Sequence, residues 1–119
     1  MSLDPVALLK RYHAALNAYD ARKVKAMFAK EAVYVSPGVN GRIAGRDAII
    51  AAFTAYFAEH PDQRAVDDEV RQLSADAARS LWRLEATARS TGRPVTRRGT
   101  EIVRFGDDGL IRHVEVTDA

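Results

Sequence analysis

The spacing of hydrophobic residues changes about halfway along the chain. After Asp4-Pro5, residues Leu8, Leu9, Tyr12, Ala15, Leu16 and Tyr19 fall on one face at about 100° per residue, with Arg11, Ala14 and Ala18 opposite. This pattern predicts an amphipathic helix, opened by Asp4 as N-cap and Pro5 at the first helical position. Tyr12 lies near the middle of the apolar face, while His13 and Asn17 lie on its edge, where packing or surface exposure is the ordinary outcome. Asp20 is placed to cap a second, shorter helix running to about Ala29. Ala32 to Ser36 reads as a short strand stopped by Pro37-Gly38, and the segment Pro37 to Gly45 reads as a glycine-rich loop. A third helix is expected from about Arg46 to Glu59, carrying Ile49, Ile50, Phe53, Tyr56 and Phe57 at helical spacing. Asp47 suits its positive end, and His60-Pro61-Asp62 closes it with a histidine at the negative end.

Beyond Asp62 the period becomes two. Val66 to Leu73 predicts a strand with high polar content. From Ala78 to Ser90, Trp82, Leu84, Ala86 and Ala88 alternate with Arg83, Glu85, Thr87 and Arg89, as in a half-buried antiparallel strand. Thr91-Gly92-Arg93-Pro94 turns into Val95 to Phe105, and Gly106-Asp107-Asp108-Gly109 turns into Leu110 to Thr117. Three helices followed by a long-stranded meander give an α+β class: a curved antiparallel sheet with helices on its concave face.

Composition narrows the function classes. A chain of 119 residues is long enough for one core and too short for two, so a single domain over 1–119 is expected. Eighteen Lys and Arg against sixteen Asp and Glu leave a net charge of only +2. The arginines are interleaved with acids from Arg11 to Arg112, without a polybasic block, so no nucleic-acid partner is expected. The absence of cysteine excludes disulfides, thiolate metal sites and cysteine nucleophiles. His13, His60 and His113 have no metal-site spacing, and no metal or cofactor is called for. No apolar run reaches spanning length and M-S-L-D-P does not resemble a signal sequence, which gives no membrane partner and a cytoplasmic location as the expectation.

Three segments carry a family likeness: R-Y-H-A-A-L-N-A-Y-D, then M-F-A-K-E-A-V-Y-V-S-P, then G-R-D-A-I-I. They resemble the opening of bacterial ketosteroid isomerases, members of the NTF2-like (SnoaL-like) superfamily. The likeness runs from Arg11 to about Ile49 and resumes from about Trp82 through V-R-F-G-D-D-G-L-I to Val116. It implies an NTF2-like cone, a small apolar molecule as ligand, no cofactor, and a homodimer formed through the outer face of the sheet. Within it, Tyr12 matches the oxyanion-hole tyrosine, Glu101 the protonated aspartic acid that shares the oxyanion, and Ser36 the general-base aspartate. Ketosteroid isomerase is a worked case of a carboxylic acid kept neutral by its site. Phe28 and Phe53 stand where further tyrosine hydroxyls often support the first. The resemblance therefore implies a pocket, and isomerase chemistry only in altered form, because serine cannot replace a carboxylate as a base near neutral pH.

Tyr12 and Glu101 are the candidate catalytic residues. A buried phenol requires a partner, and Glu101 on the facing strand is the natural one; the alternative is a core tyrosine bonded to the backbone. Glu101 shares its strand parity with the apolar Val103 and Phe105, so a carboxylate facing inward there would be desolvated, which disfavours the charged form; the alternative is a paired or surface carboxylate on a mixed strand. An inward Glu101 is either an acid donor or a base, unless Arg97 on the same parity pairs with it or a bulge at Gly99 turns Arg97 outward. Ser36, Phe53, Trp82, Leu84, Ala86, Ala88, Val103, Val114 and Val116 are the expected ligand wall, or else simply fill the cone. His113 and Glu115 fall on the outer face. An isomerase-like or dehydratase- or hydrolase-like proton-transfer enzyme, a non-catalytic small-ligand binder and a dimeric accessory module all fit this chain.

Overall fold

The computed structural model describes residues 3–37 and 41–118. Its elements are α1 (Pro5–Asn17), α2 (Ala21–Met27), β1 (Phe28–Ser36), β2 (Gly41–Ala44), α3 (Arg46–Glu59), β3 (Arg64–Ser74), β4 (Ala77–Thr87), β5 (Pro94–Phe105) and β6 (Ile111–Asp118). The strands form one sheet in the order β2-β1-β6-β5-β4-β3, and the three helices cover one of its faces. This is the α+β arrangement that the change of period implies. The meander β3-β4-β5-β6 is antiparallel throughout, whereas β1 joins β6 in parallel, so the sheet is mixed. The long connection from β1 to β6, through β2, α3 and the rest of the meander, permits a parallel neighbour.

The helix starts follow the predicted chemistry. Asp4 accepts from the Ala7 N–H and Asp20 from the Lys23 N–H, each satisfying an orphan donor of the first turn. The second helix ends at Met27, earlier than Ala29, because Phe28 is already extended and opens β1. Gly41 to Ala44, expected as loop, form β2 against Val33 to Ser36. Four residues are too few for an alternation to show in sequence. Pro37 lies in the described residues, but Gly38 of the predicted loop lies outside them. β4 stops at Thr87, so Ala88 sits in the turn, its N–H donated to the Arg93 carbonyl.

The core lies between the helices and the concave face of the sheet. Leu9, Tyr12 and Ala15 of α1 meet Phe28 and Ala32 of β1, Ile49 and Phe53 of α3, and Val103 and Val114 of the sheet. Aromatic edges join the layers: Tyr12 meets Phe28 at 5.5 Å and Phe53 meets Tyr34 at 5.0 Å between ring centroids, both near perpendicular.

Alpha1 is fastened to the edge strand β3 by a ladder of polar contacts. His13 reaches Asp67, Asn17 binds Ala65 through both N–H···O directions at 2.8 and 3.0 Å, and the Tyr19 hydroxyl donates to the Gln63 carbonyl. Four helical residues rise about 6 Å and two strand residues about 6.6 Å, so the step from His13 to Asn17 on α1 matches that from Asp67 to Ala65 on β3. The Tyr19–Gln63 contact follows just beyond both elements. Tyr19 adopts φ 56°, a left-handed backbone that costs a non-glycine residue roughly 1–2 kcal/mol and turns the chain after α1.

The pairing of β4 with β5 runs unbroken from Thr87↔Pro94 to Ala77↔Arg104, with Gly99 opposite Trp82. No bulge forms at Gly99, and Arg97 keeps its inward parity. Gly99 is required for a different reason: a Cβ there would lie 1.8 Å from the Thr117 carbonyl oxygen of β6. Gly99→Ala is expected to destabilise by about 1–3 kcal/mol, since backbone must move to accept the methyl. Urea unfolding that matches wild type within a few tenths of a kcal/mol would contradict this.

Candidate active site

Glu101 lies on the middle of β5, between Ser80 of β4 and Val116 of β6, on the concave face. Only 4% of it is exposed. Of the two placements its parity left open, the inward one is therefore what the sheet imposes. Its partner differs from the expected one. The Nε2 of His13 makes a short hydrogen bond to Glu101 Oε1, and His13 Nδ1 lies 2.7 and 2.9 Å from the two carboxylate oxygens of Asp67. Ser80, fully buried, donates to Asp67 Oδ1 at 2.7 Å. One imidazole is thus clamped between two carboxylates, one on each of two strands.

This geometry fixes the proton. Burial alone pushes His13 down, but the Glu101 carboxylate, the hydrogen bonds to Asp67 and Glu101, and the Asp67 charge outweigh it and raise His13 to about 10. At neutral pH it is an imidazolium donating from both nitrogens. Burial opposes the charge on Asp67 too, yet the bond from His13, its charge and the Ser80 hydroxyl hold Asp67 below the usual carboxylate range.

Tyr12 is not the partner of Glu101. Its ring is completely buried against Phe28 and His13, and its hydroxyl has no hydrogen-bond partner among the described residues. Successive helical residues diverge by about 100°, so Tyr12 points into the core while His13 points over β3 and β5. Burial first, then the Glu101 charge and then Tyr34, push the Tyr12 phenol well above its ordinary range. The backbone-bonded tyrosine is not what forms either. The other possible partner of Glu101, Arg97, turns to the end of β6, where its Nε and Nη2 donate to the two oxygens of Asp118 at 2.9 and 2.8 Å.

A cavity of about 100 Å³ opens beside Glu101. Its floor is His13 and Glu101; its walls are Leu16 of α1, Phe53, Tyr56 and Phe57 of α3, Tyr34 and Ser36 of β1, Ala65 of β3, Trp82 and Leu84 of β4, and Val116 of β6; Gln63 and Arg97 also line it. Of the expected ligand wall, Ser36, Phe53, Trp82, Leu84 and Val116 reach the cavity. Val103 and Val114 are fully buried in the core, Ala86 belongs to it at the far end of β4 opposite Val95, and Ala88 lies in the turn, off the wall. Ser36 and Tyr34 share a side-chain hydrogen bond. Desolvation first, then the Glu101 charge, raise the Tyr34 phenol above its ordinary value.

The alternation on β6 buries Val114 and Val116 and exposes Glu115, with His113 half-buried. His113 and Glu115 accordingly sit on the outer face of the sheet. Among the described residues, no group of three or more His, Cys, Asp or Glu side chains is arranged to hold a metal ion. No described helix is long and apolar enough to cross a membrane.

Residues 9–114 match the model of the SnoaL-like domain family. The chain belongs to that family. A search of curated protein sequences finds no match. Among solved structures, RV0760c from Mycobacterium tuberculosis, in complex with estradiol-17beta-hemisuccinate, superposes with a TM-score of 0.84 at 20% identity, covering 96% of this chain and 93% of that one. Delta 5-3-ketosteroid isomerase from Mycobacterium sp. superposes with 0.83 at 19% identity, covering 97% and 93%. The epoxide hydrolase/cyclase-like enzyme SalBIII, described for pyran ring formation in polyether salinomycin, gives 0.83 at 15% identity, covering 95% and 88%. At these identities the likeness establishes the NTF2-like fold. SnoaL-like chains share the cone, and the residues on its floor decide the chemistry.

Sequence reading missed His13 as a site residue, together with Asp67, Tyr34, Tyr56 and Arg97. The available signal was the i, i+4 spacing of His13 and Asn17 on the edge of α1, opposite a strand with Asp67 on its inward parity.

Proposed function

We propose that this SnoaL-like protein is a cofactor-independent proton-transfer enzyme of isomerase or lyase type, acting on a small apolar carbonyl compound in the cone. The observation that carries this reading is the Asp67–His13–Glu101 row, whose His13 and Glu101 line a largely hydrophobic cavity and whose Asp67 stands behind His13. A buried carboxylate lining a cavity and anchored by a doubly bonded imidazolium is a positioned acid–base group, which typically contributes about 10²–10⁴-fold to a rate.

In this scheme Glu101 takes a proton from the carbon next to the carbonyl, and the C–H electron pair moves to the carbonyl oxygen. The Tyr34 hydroxyl, hydrogen-bonded to Ser36, donates to that oxygen as charge develops, in the manner of an oxyanion hole. Returning the proton to another carbon isomerises the compound; loss of a leaving group instead makes the reaction an elimination. His13 is a positioning residue, fixing Glu101 through Nε2 while Asp67 fixes the ring through Nδ1. Tyr12, with its hydroxyl enclosed in the core, supports the floor from below. Ordinary steroid isomerisation through a base at position 36 is not part of this scheme. The outer sheet face, carrying His113 and Glu115, is assigned to a homodimer contact.

The test has two stages. Thermal-shift screening with cyclic enones, terpenoids, aromatic acids and steroids finds a ligand, and NMR in D₂O then follows exchange of its α-protons. Catalysed exchange is the expected result. A ligand that raises Tm but exchanges no faster than in buffer would make the protein a non-catalytic binder, the reading that the small cavity and the absence of a base at position 36 would then favour.

A further inference from the structure

One side chain on the cavity wall joins several elements around it. Arg97 of β5 lines the cavity with its side chain 18% exposed, at the boundary between cavity and solvent. Two of its nitrogens grip Asp118 at 2.9 and 2.8 Å, and a third donates to the Tyr56 hydroxyl of α3 at 3.1 Å. Its guanidinium also lies 5.3 Å from the centroid of the Trp82 ring on the neighbouring strand β4, a cation–π contact. The Asp118 and Tyr56 bonds, the first the stronger, hold the guanidinium firmly charged against its burial. One planar group therefore ties the end of β6, a helix and the tryptophan wall together. Lysine, a point charge, cannot make this three-way contact.

The cavity that Arg97 borders is a space of about 100 Å³. A dry cavity of about 150 Å³ accepts benzene, whereas pockets for drug-sized molecules run to about 300–1,000 Å³. The polar groups are spaced to match. Val35 pairs with Glu115 and Val116 with Glu101, so Ser36 and Glu101 stand two strands apart, roughly 10 Å at the backbone. Side chains reaching inward from both leave room for one ring between a hydroxyl and a carboxylate. The Arg97 charge is matched by Asp118, and the floor row of one imidazolium and two carboxylates carries excess negative charge. An anionic ligand finds no free cation at the floor.

We infer that the Arg97–Asp118–Tyr56 clasp sets substrate size, restricting the cavity to neutral single-ring ketones or enones and shutting out multi-ring steroids. Arg97 is in this sense the specificity-determining residue. The inference rests on the small-molecule pocket proposed above and adds the class of molecule that it takes.

The test measures binding of cyclohex-2-enone and of androst-4-ene-3,17-dione to the full chain, by quenching of Trp82, the single tryptophan, and by thermal shift. Wild type is expected to bind the one-ring enone and not the steroid. Arg97→Ala and Asp118→Ala should each lower the steroid-to-enone Kd ratio at least tenfold, and Tyr56→Phe should lower it by less. Arg97→Lys should fall between wild type and Arg97→Ala. If Arg97→Ala fails to fold, Asp118→Ala and Tyr56→Phe carry the same comparison, because neither removes the side chain that stacks on Trp82. Wild type that binds the steroid as tightly as the enone overturns the clasp while leaving the pocket intact. Unchanged ratios in folded variants overturn it as well. Binding of neither compound by any form would remove the pocket reading and the inference with it.

Discussion

His13→Ala is expected to be among the most destabilising single changes in the molecule, lowering stability by roughly 3–5 kcal/mol. It removes a buried cation and leaves Asp67 and Glu101 facing each other across the space it occupied. Two carboxylates at that separation repel, and one of them must take up a proton or turn away. For a domain of this size the loss lowers Tm by more than about 10 °C. His13→Gln, which keeps volume and one hydrogen bond but no charge, should recover a small part of it. The pH dependence identifies the cause. His13 is raised from 6.5 to about 10 on folding, so its stabilisation is complete below about pH 6.5 and is lost as pH rises through 10. Asp67 is lowered on folding, so its share is present above its ordinary value near 3.8 and is lost as pH falls below it. Wild type should be most stable between these limits and weaken steadily from pH 6.5 to 10. In His13→Ala that alkaline slope should vanish, and the two stability curves should approach each other near pH 10. A variant within 1 kcal/mol of wild type at pH 6, or an unchanged slope, would show that the clamp is not what it is drawn to be.

The fold was largely legible because its signals are local. The Asp4-Pro5 and Asp20 starts, the apolar stripe of α1 and the alternation from Trp82 to Ala86 each report on neighbours in sequence, and each formed as read. The β2 strand was hidden for the opposite reason, since its only support is pairing with Val33 to Ser36. The site was half legible on the same principle. Parity along β5 put Glu101 on the side of Val103 and Phe105 because alternation is a local property. Its partner could not be found that way, because His13 and Glu101 are 88 positions apart and their meeting depends on how far α1 is rotated over the sheet. A rotation of one residue decides whether Tyr12 or His13 stands over Glu101. The rotation is set by the Asn17 and Tyr19 contacts to β3, neither of which carries a motif. The side faced by Arg97 was left open for a similar reason: a glycine at position 99 admits a bulge, whereas its actual cause is the close approach of the Thr117 carbonyl.

Glu101→Gln is expected to abolish proton transfer while leaving the ligand bound. The amide matches the carboxylate in shape and can still accept from His13 Nε2, so the floor of the cavity keeps its form. It cannot take a proton from carbon, and the loss of a positioned base corresponds to about 10²–10⁴-fold in the exchange rate. Ligand affinity should change by less than tenfold, because the carbonyl oxygen is met by the Tyr34 hydroxyl on β1 rather than by position 101. Asp67→Asn makes a useful contrast. Asp67 does not line the cavity, yet its carboxylate accepts from His13 Nδ1 and from Ser80. The amide weakens the hold on the ring and lowers its affinity for a proton, so the alkaline limb of the exchange profile should move down from about pH 10 while the rate at lower pH persists. A structural role for Asp67 alone would lower stability without moving that limb. Exchange by Glu101→Gln at the wild-type rate would require a different base, and the one remaining carboxylate beside His13 is Asp67 itself. The double variant Asp67→Asn/Glu101→Gln then decides between them: activity that survives in Glu101→Gln but not in the double variant assigns proton abstraction to Nε2 of a neutral His13 whose Nδ1–H is held by Asp67.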